Sequence, residues 1–345
     1  MFLDGNVTVQ RFDEFRYPKL SQYEQTQMGF FWRPEEISVI DDIHDMKQAA
    51  PAVRHMVTAN LLRQTGLDSI QGRGPAQIFG PVASIPELES LTVAWSFFEG
   101  NIHSRSYSHI IRNIYSVPKD EFNKIHHIPE IAEMAANIGQ YYEQLHTLNC
   151  RVQLGLPVSQ DDHIDAIWLA LHASYALEAI RFMVSFATSL GMAENKLFIG
   201  NGNIVKLIMH DEMLHKEWTA YIINQVLKDD ERFSRAEERC RAVVTKIYAD
   251  VIREEKDWAK YLFNKGVVVG LNERIMHDFV DWMAADALKQ IGLKHACSLK
   301  STPLPWFNRQ TDNNKEQVAL QELESTSYLI GVMDAALDID NLPSL

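Results

Sequence analysis

Apolar residues recur at three- and four-residue spacing over long stretches of this chain, and strand-like alternation is nearly absent. The pattern predicts an all-α protein. A first helix is expected after Trp32-Arg33-Pro34-Glu35-Glu36, where proline suits the first helical position and acids suit the first turn. A second is expected from about 52 to 71, stopped by Gly72-Arg73-Gly74-Pro75. Ser84-Ile85-Pro86-Glu87 reads as a capping box opening a helix that runs to about 115. Further helices are expected over 128–149, 161–190, 202–227, 231–265 and 272–292, with Gly200 and Gly202 interrupting a long rod. The most apolar stretch, 164–192, contains His172, Glu178 and Arg181, so it reads as a buried bundle helix and not a membrane span. Periodicity fades after Gly292. The expected organisation is a helical domain over 1–297 and an extended, flexible tail over 298–345 that orders on a partner.

The 345 residues, 46% of them hydrophobic, are ample for a large core. The formal net charge of -13 comes with no basic run, which argues against a nucleic-acid partner. Cys150, Cys240 and Cys297 are far apart, so neither a disulfide framework nor a thiolate zinc site is expected, and a reducing cytoplasm fits. The start lacks a basic region followed by an apolar core, so no signal peptide is expected.

The chemistry lies in two segments, Glu99-Gly-Asn-Ile-His103 and Glu212-Met-Leu-His215. Each places a carboxylate and an imidazole about one helical turn apart. Glu178 sits in a helix apolar nearly all round, where a carboxylate is costly unless it meets a charge or a metal. Asp68 shares a stripe with Leu61 on the second helix. Four carboxylates and two histidines on four helices match the ligand set of carboxylate-bridged di-metal bundles. Such oxygen-rich donors suit iron or manganese. Asp211 is a candidate acceptor for a ligating imidazole. The bland readings are a Glu178–Arg181 ion pair and a core role for Tyr107, which lies one turn beyond His103.

Whole motifs go further than spacing. Phe31-Trp32-Arg33-Pro34-Glu35-Glu36, Leu67-Asp68-Ser69-Ile70-Gln71-Gly72-Arg73, Ile102-His103-Ser104-Arg105-Ser106-Tyr107, Ala176-Leu177-Glu178-Ala179-Ile180-Arg181-Phe182 and Asp211-Glu212-Met213-Leu214-His215 resemble, in order, the beta subunit of class I ribonucleotide reductase. Ser327-Tyr328-Leu329-Ile330-Gly331 resembles its C-terminal tail. The resemblance implies a ferritin-like helical bundle in which Asp68, Glu99, His103, Glu178, Glu212 and His215 bind a dinuclear metal centre. It further implies a radical on Tyr107, generated with dioxygen, and an apolar wall of Phe182, Phe186 and Ile208. Trp32, Asp211 and His103 would begin a radical-transfer route, and Tyr328 with Glu322 would deliver the oxidising equivalent to an alpha subunit that reduces ribonucleotides. A di-iron centre is expected. Manganese–manganese and manganese–iron centres use the same ligand types, and some would call on a flavoprotein activator. A homodimer is usual in the family.

One departure is plain. The family pattern is Glu-x-x-His, whereas this chain has Glu99-x-x-x-His103. Positions four apart can still share a helix face, the extra residue can form a π-bulge, or Glu99 can leave the site; the expectation is a bulge near Gly100-Asn101-Ile102 with Glu99 still ligating. A stand-alone di-metal oxidase is the alternative reading, and it predicts a substrate channel and no need for the tail. A metal-storage bundle is a third; it leaves Tyr107 without a role.

Overall fold

The computed structural model describes residues 1–311, so Glu322 and Tyr328 lie outside the described residues. Among these the architecture is all-α, with only isolated bridges pairing Phe2 with Ala83 and Val268 with Leu271. The helices are α1 (Pro18–Gly29), α2 (Ile40–Gln48), α3 (Pro51–Gln71), α4 (Gly74–Ile78), α5 (Pro86–Phe97), α6 (Ser104–Ile114), α7 (Pro118–Phe122), α8 (Pro129–Gln153), α9 (Gln160–Ala176), α10 (Met183–Glu194), α11 (Ile199–Asp229), α12 (Glu231–Phe263), α13 (Glu273–Gln290) and α14 (Pro305–Thr311). A π turn, Phe98–His103, joins α5 to α6, and a second, Leu177–Arg181, joins α9 to α10.

The α9–α10 rod is apolar on all sides and lies at the centre, as such helices must. It is long and apolar enough to cross a membrane by composition, but its apolar window is wholly buried in protein. Helices α8, α11, α12 and α13 pack around it, and α3 closes the bundle against α10 and α12. Two buried arginines brace these contacts. Arg181 pairs with Glu254 of α12, and Arg63 of α3 pairs with Glu255 while stacking over Trp258.

Three expectations need correction, and one helix was missed. The chain after Pro34 makes only the short turn Pro34–Glu36, and the helix begins at Ile40. Helix α1 was not foreseen from the pattern; its sequence is polar, and its buried face includes Ser21 and Gln27. The capping-box reading of Ser84 and Glu87 fails, because both side chains serve distant backbone instead. Ser84 Oγ accepts from Asp4 N at 2.7 Å, and Glu87 Oε1 accepts from Tyr17 N at 2.8 Å at the start of α1. Gly200 and Gly202 lie inside α11; the break precedes them, with Lys196 and Phe198 at positive φ. Asp42 and Asp45 of α2 receive the amides that the helix start leaves unpaired: Gly200 and Asn201 on Asp42, Phe198 on Asp45. A Cβ at Gly200 would sit 2.5 Å from the Ser38 carbonyl, so glycine permits this close approach.

The segment expected to open the tail at 298 carries a docked helix. Leu304 and Phe307 are buried, and the Phe307 ring meets Phe279 edge-on at 4.9 Å.

Candidate metal centre

Four elements converge at one buried point. Helix α3 carries Asp68 and Gln71, the first π turn carries Glu99 and His103, the second carries Glu178, and α11 carries Asp211, Glu212 and His215. The inserted residue before His103 is absorbed as a π turn, and Glu99 faces the cluster. The π turn at Glu178 had no sequence signal, since Ala176-Leu-Glu-Ala-Ile-Arg181 reads as ordinary helix. Glycine at position 72 lets α3 approach the first π turn; a Cβ there would lie 2.7 Å from Gly100 Cα.

The donor atoms fall into two overlapping groups, Asp68–Glu99–His103–Glu212 and Glu99–Glu178–Glu212–His215. Glu99 and Glu212 belong to both. Oxygens of Glu99 lie 3.4 Å from His103 Nδ1 and 2.9 Å from His215 Nδ1. Those of Glu212 lie 3.2 Å and 2.8 Å from the same two atoms. Asp68 is 4.0 Å from His103 Nδ1, and Glu178 Oε2 is 3.7 Å from His215 Nδ1. Arg181 turns away to Glu254, so Glu178 has no cation partner from that side.

These atoms are buried and lack hydrogen bonds: both oxygens of Asp68, Glu99 and Glu212, Glu178 Oε2, and Nδ1 of both histidines. Native proteins seldom leave one such group unmade, and a cluster of them around one point is the donor set of a cation site. The residues fit a pair of hard or borderline cations, with Glu99 and Glu212 placed to serve both.

Outer contacts aim the imidazoles. His103 Nε2 lies 3.0 Å from Asp211 Oδ2, which also accepts from Trp32 Nε1 at 3.0 Å. His215 Nε2 lies 3.1 Å from Gln27 Oε1, and Gln27 Nε2 donates to Asp211 Oδ1 at 2.9 Å. With both Nε2 atoms donating, both Nδ1 lone pairs face the cluster. Gln27 thus links the two halves, and the polar helix α1 gave no sequence hint of it. Glu178 Oε1 is held by Trp95 Nε1 at 3.0 Å and by Gln71.

Electrostatics agree with crowded acids. Burial, then the charges of Glu99 and Glu212, hold Asp68 well above the usual carboxylate range. Burial, Glu212 and Glu99 do the same to Glu178. Burial opposes charge on His103 and His215, yet Glu212 and the surrounding acceptors push both well above the ordinary imidazole value. Burial would raise Glu212 too, but His103 and His215 pull it below its usual value.

Tyr107 is fully buried, and its hydroxyl faces Asp68 with no hydrogen bond of good geometry. Burial and the charges of Asp68 and Glu212 drive its pKa well above that of a free phenol. Phe182 and Phe186 stack at 5.2 Å, and both are fully buried, as is Ile208.

Residues 10–298 match the family model for the ribonucleotide reductase small chain. The chain belongs to that family. It is 37% identical to ribonucleoside-diphosphate reductase 1 subunit beta of Escherichia coli O157:H7, across 99% of this chain and 94% of that protein. It is 34% identical to the corresponding subunit of Enterobacteria phage T4, across 98% and 93%. Its fold is similar to the ribonucleotide reductase R2 subunit from Clostridium botulinum, with TM-score 0.79 at 22% identity over 90% of this chain and 93% of that one. It is also similar in fold to Streptococcus sanguinis dimanganese(II)-NrdF, with TM-score 0.72 at 16% identity over 88% and 99%. The chain is therefore a beta subunit of ribonucleoside-diphosphate reductase, a family with a dinuclear metal site, and it works with an alpha subunit.

Proposed function

We propose that Asp68 and His103 would hold one metal ion and Glu178 and His215 the other, with Glu99 and Glu212 placed to serve both. The observation that carries this reading is the set of unpartnered, fully buried donor atoms around one point. The bound pair would be iron, and would supply the redox change that couples dioxygen to a one-electron oxidation nearby. Tyr107 is the side chain placed to lose that electron. Its burial keeps water and reductants from the resulting radical, and Phe182, Phe186 and Ile208 form the dry wall. Asp68 is the carboxylate placed beside its phenolic proton.

Trp32, Asp211 and His103 form a hydrogen-bonded chain leading out of the site, suited to carrying an electron inward as the radical moves out. From Trp32 the equivalent would pass through Tyr328, with Glu322, on a tail that docks the alpha subunit. The working form would be a cytoplasmic homodimer. Manganese loading with a flavoprotein activator stays open as an outcome of the test.

The test is metal stoichiometry. The full-length protein should bind two ions per chain, while Asp68→Asn and Glu178→Gln should each weaken one ion selectively. Unchanged loading in both variants would sink the ligand assignment. Truncation before residue 312 should abolish ribonucleotide reduction with metals intact; retained oxidase activity on a small substrate would instead support the stand-alone oxidase.

A further inference from the structure

The metal centre has a second aromatic exit, separate from Trp32. The Trp218 ring lies 4.5 Å from His215, and the Trp95 ring, whose indole holds Glu178, lies 5.5 Å from Trp218. Tyr23 of α1 meets Trp218 edge-on at 6.5 Å, and Tyr221 meets Tyr23 at 6.2 Å. Exposure rises along the way: Trp95 and Trp218 are buried, Tyr23 sits at 9%, and Tyr221 is half-buried. His215, Trp218 and Tyr221 follow at three-residue steps on α11, which carries the path about 9 Å along the helix axis.

We propose that Trp95, Trp218, Tyr23 and Tyr221 form an electron relay that drains stray oxidising equivalents from the metal centre to the protein surface, where a small thiol quenches them. Packing alone would be served as well by phenylalanine. Instead, each ring in contact order is an oxidisable one, two tryptophans nearest the site and two tyrosines outside them. Trp218 Nε1 is buried without a hydrogen-bond partner, a cost phenylalanine would avoid. Phe79 stacks on the other side of Trp95 at 6.4 Å, but it is not oxidised under such conditions, so that side is a dead end. The Lys19 ammonium lies 5.1 Å from the Tyr23 ring and 5.3 Å from the Tyr221 ring. A cation there disfavours a positively charged ring, so oxidation proceeds with loss of the phenolic proton.

The electrons balance simply. An oxidising equivalent at the site takes one electron from Trp218 or Trp95. The tryptophan radical cation takes one electron from Tyr23, whose phenolic proton passes to water, and the Tyr23 radical then takes an electron from Tyr221 and a proton back from water. Trp218, Trp95 and Tyr23 are restored, and the Tyr221 phenolic proton passes to water. A thiol then gives Tyr221 a hydrogen atom, and two thiyl radicals couple to a disulfide. When Tyr107 accepts the equivalent normally the relay is idle; when it does not, the relay spares the ligands.

This inference rests on the ligand assignment proposed above, so its test has two arms. In the first, full-length protein with Tyr107→Phe is loaded with Fe(II), exposed to dioxygen with a spin trap, and digested for peptide mass spectrometry. Adducts should concentrate on Tyr221. Adding Tyr23→Phe should lower the Tyr221 adduct several-fold and raise oxidation of Trp95 and Trp218 several-fold. An adduct pattern indifferent to Tyr23→Phe overturns the relay. The second arm uses metal-free protein and photoionised tryptophan. The tryptophan radical signal should convert to a tyrosyl signal, and Tyr23→Phe or Trp218→Phe should cut the conversion several-fold. Equal conversion in all three proteins overturns the relay whether or not metals load, whereas a protein that fails to bind metal but shows the conversion refutes only the ligand assignment.

Discussion

Gln27→Leu tests whether the imidazoles are aimed from outside the cluster. The substitution keeps side-chain bulk and deletes two hydrogen bonds, from His215 Nε2 at 3.1 Å and to Asp211 Oδ1 at 2.9 Å. His215 then has a buried N–H with no acceptor, and its ring is free to turn its Nδ1 away. Loss of such an outer contact costs about 10–100-fold in metal affinity, or about 1.4–2.8 kcal/mol. The loss should fall on the ion held by Glu178 and His215. The ion beside His103 should be affected less, because Asp211 keeps Trp32 and His103 as partners. The assay is Fe(II) or Mn(II) titration of metal-free protein against a chelator, resolving two binding steps. Equal affinity to the parent at both steps would refute the argument, and a loss confined to the ion beside His103 would show that Gln27 acts through Asp211 instead.

Other predictions follow from packing and charge. Gly72→Ala forces a methyl to within 2.8 Å of Gly100 N; backbone cannot yield as a side chain does, so stability should fall by about 1–3 kcal/mol with weaker metal binding, read by denaturation and titration. Arg181→Met takes the partner from Glu254 Oε2 but leaves Asn137 and half-exposed Arg253 on Oε1, so it should cost about 1–3 kcal/mol, read by urea unfolding. Burial drives the His172 pKa down to about 3. The unfolded chain therefore takes up a proton below its ordinary value that the folded chain refuses, and the contribution of His172 alone is a loss of about 1.4 kcal/mol per pH unit from about pH 6.5 towards 3. His172→Gln should flatten that slope.

Much of the site was legible because metal chemistry constrains residue type and spacing together. Asp68, Glu99, His103, Glu178, Glu212 and His215 could be read from the chain, and the structure brings all six together. The π turn before His103 was readable because an extra residue stood inside a recognisable motif. The π turn at Glu178 was not, since nothing in its local sequence differs from good helix. Gln27 and helix α1 were missed for a related reason. A helix that offers polar groups to a buried carboxylate and imidazole has no apolar stripe to betray it. Ser84 and Glu87 misled because a capping pattern is local, whereas their partners, Asp4 and Tyr17, are distant in sequence. Arg181, three residues from Glu178, was a plausible partner on spacing alone; only the packing of α12 shows that Glu254 takes it.

The most direct test of the central claim is an electron paramagnetic resonance spectrum of the full-length protein after loading with Fe(II) and exposure to dioxygen, with metal content measured on the same sample. The account predicts two ions per chain and a tyrosyl signal that disappears in Tyr107→Phe while both ions remain. The same signal at full strength in Tyr107→Phe would contradict it.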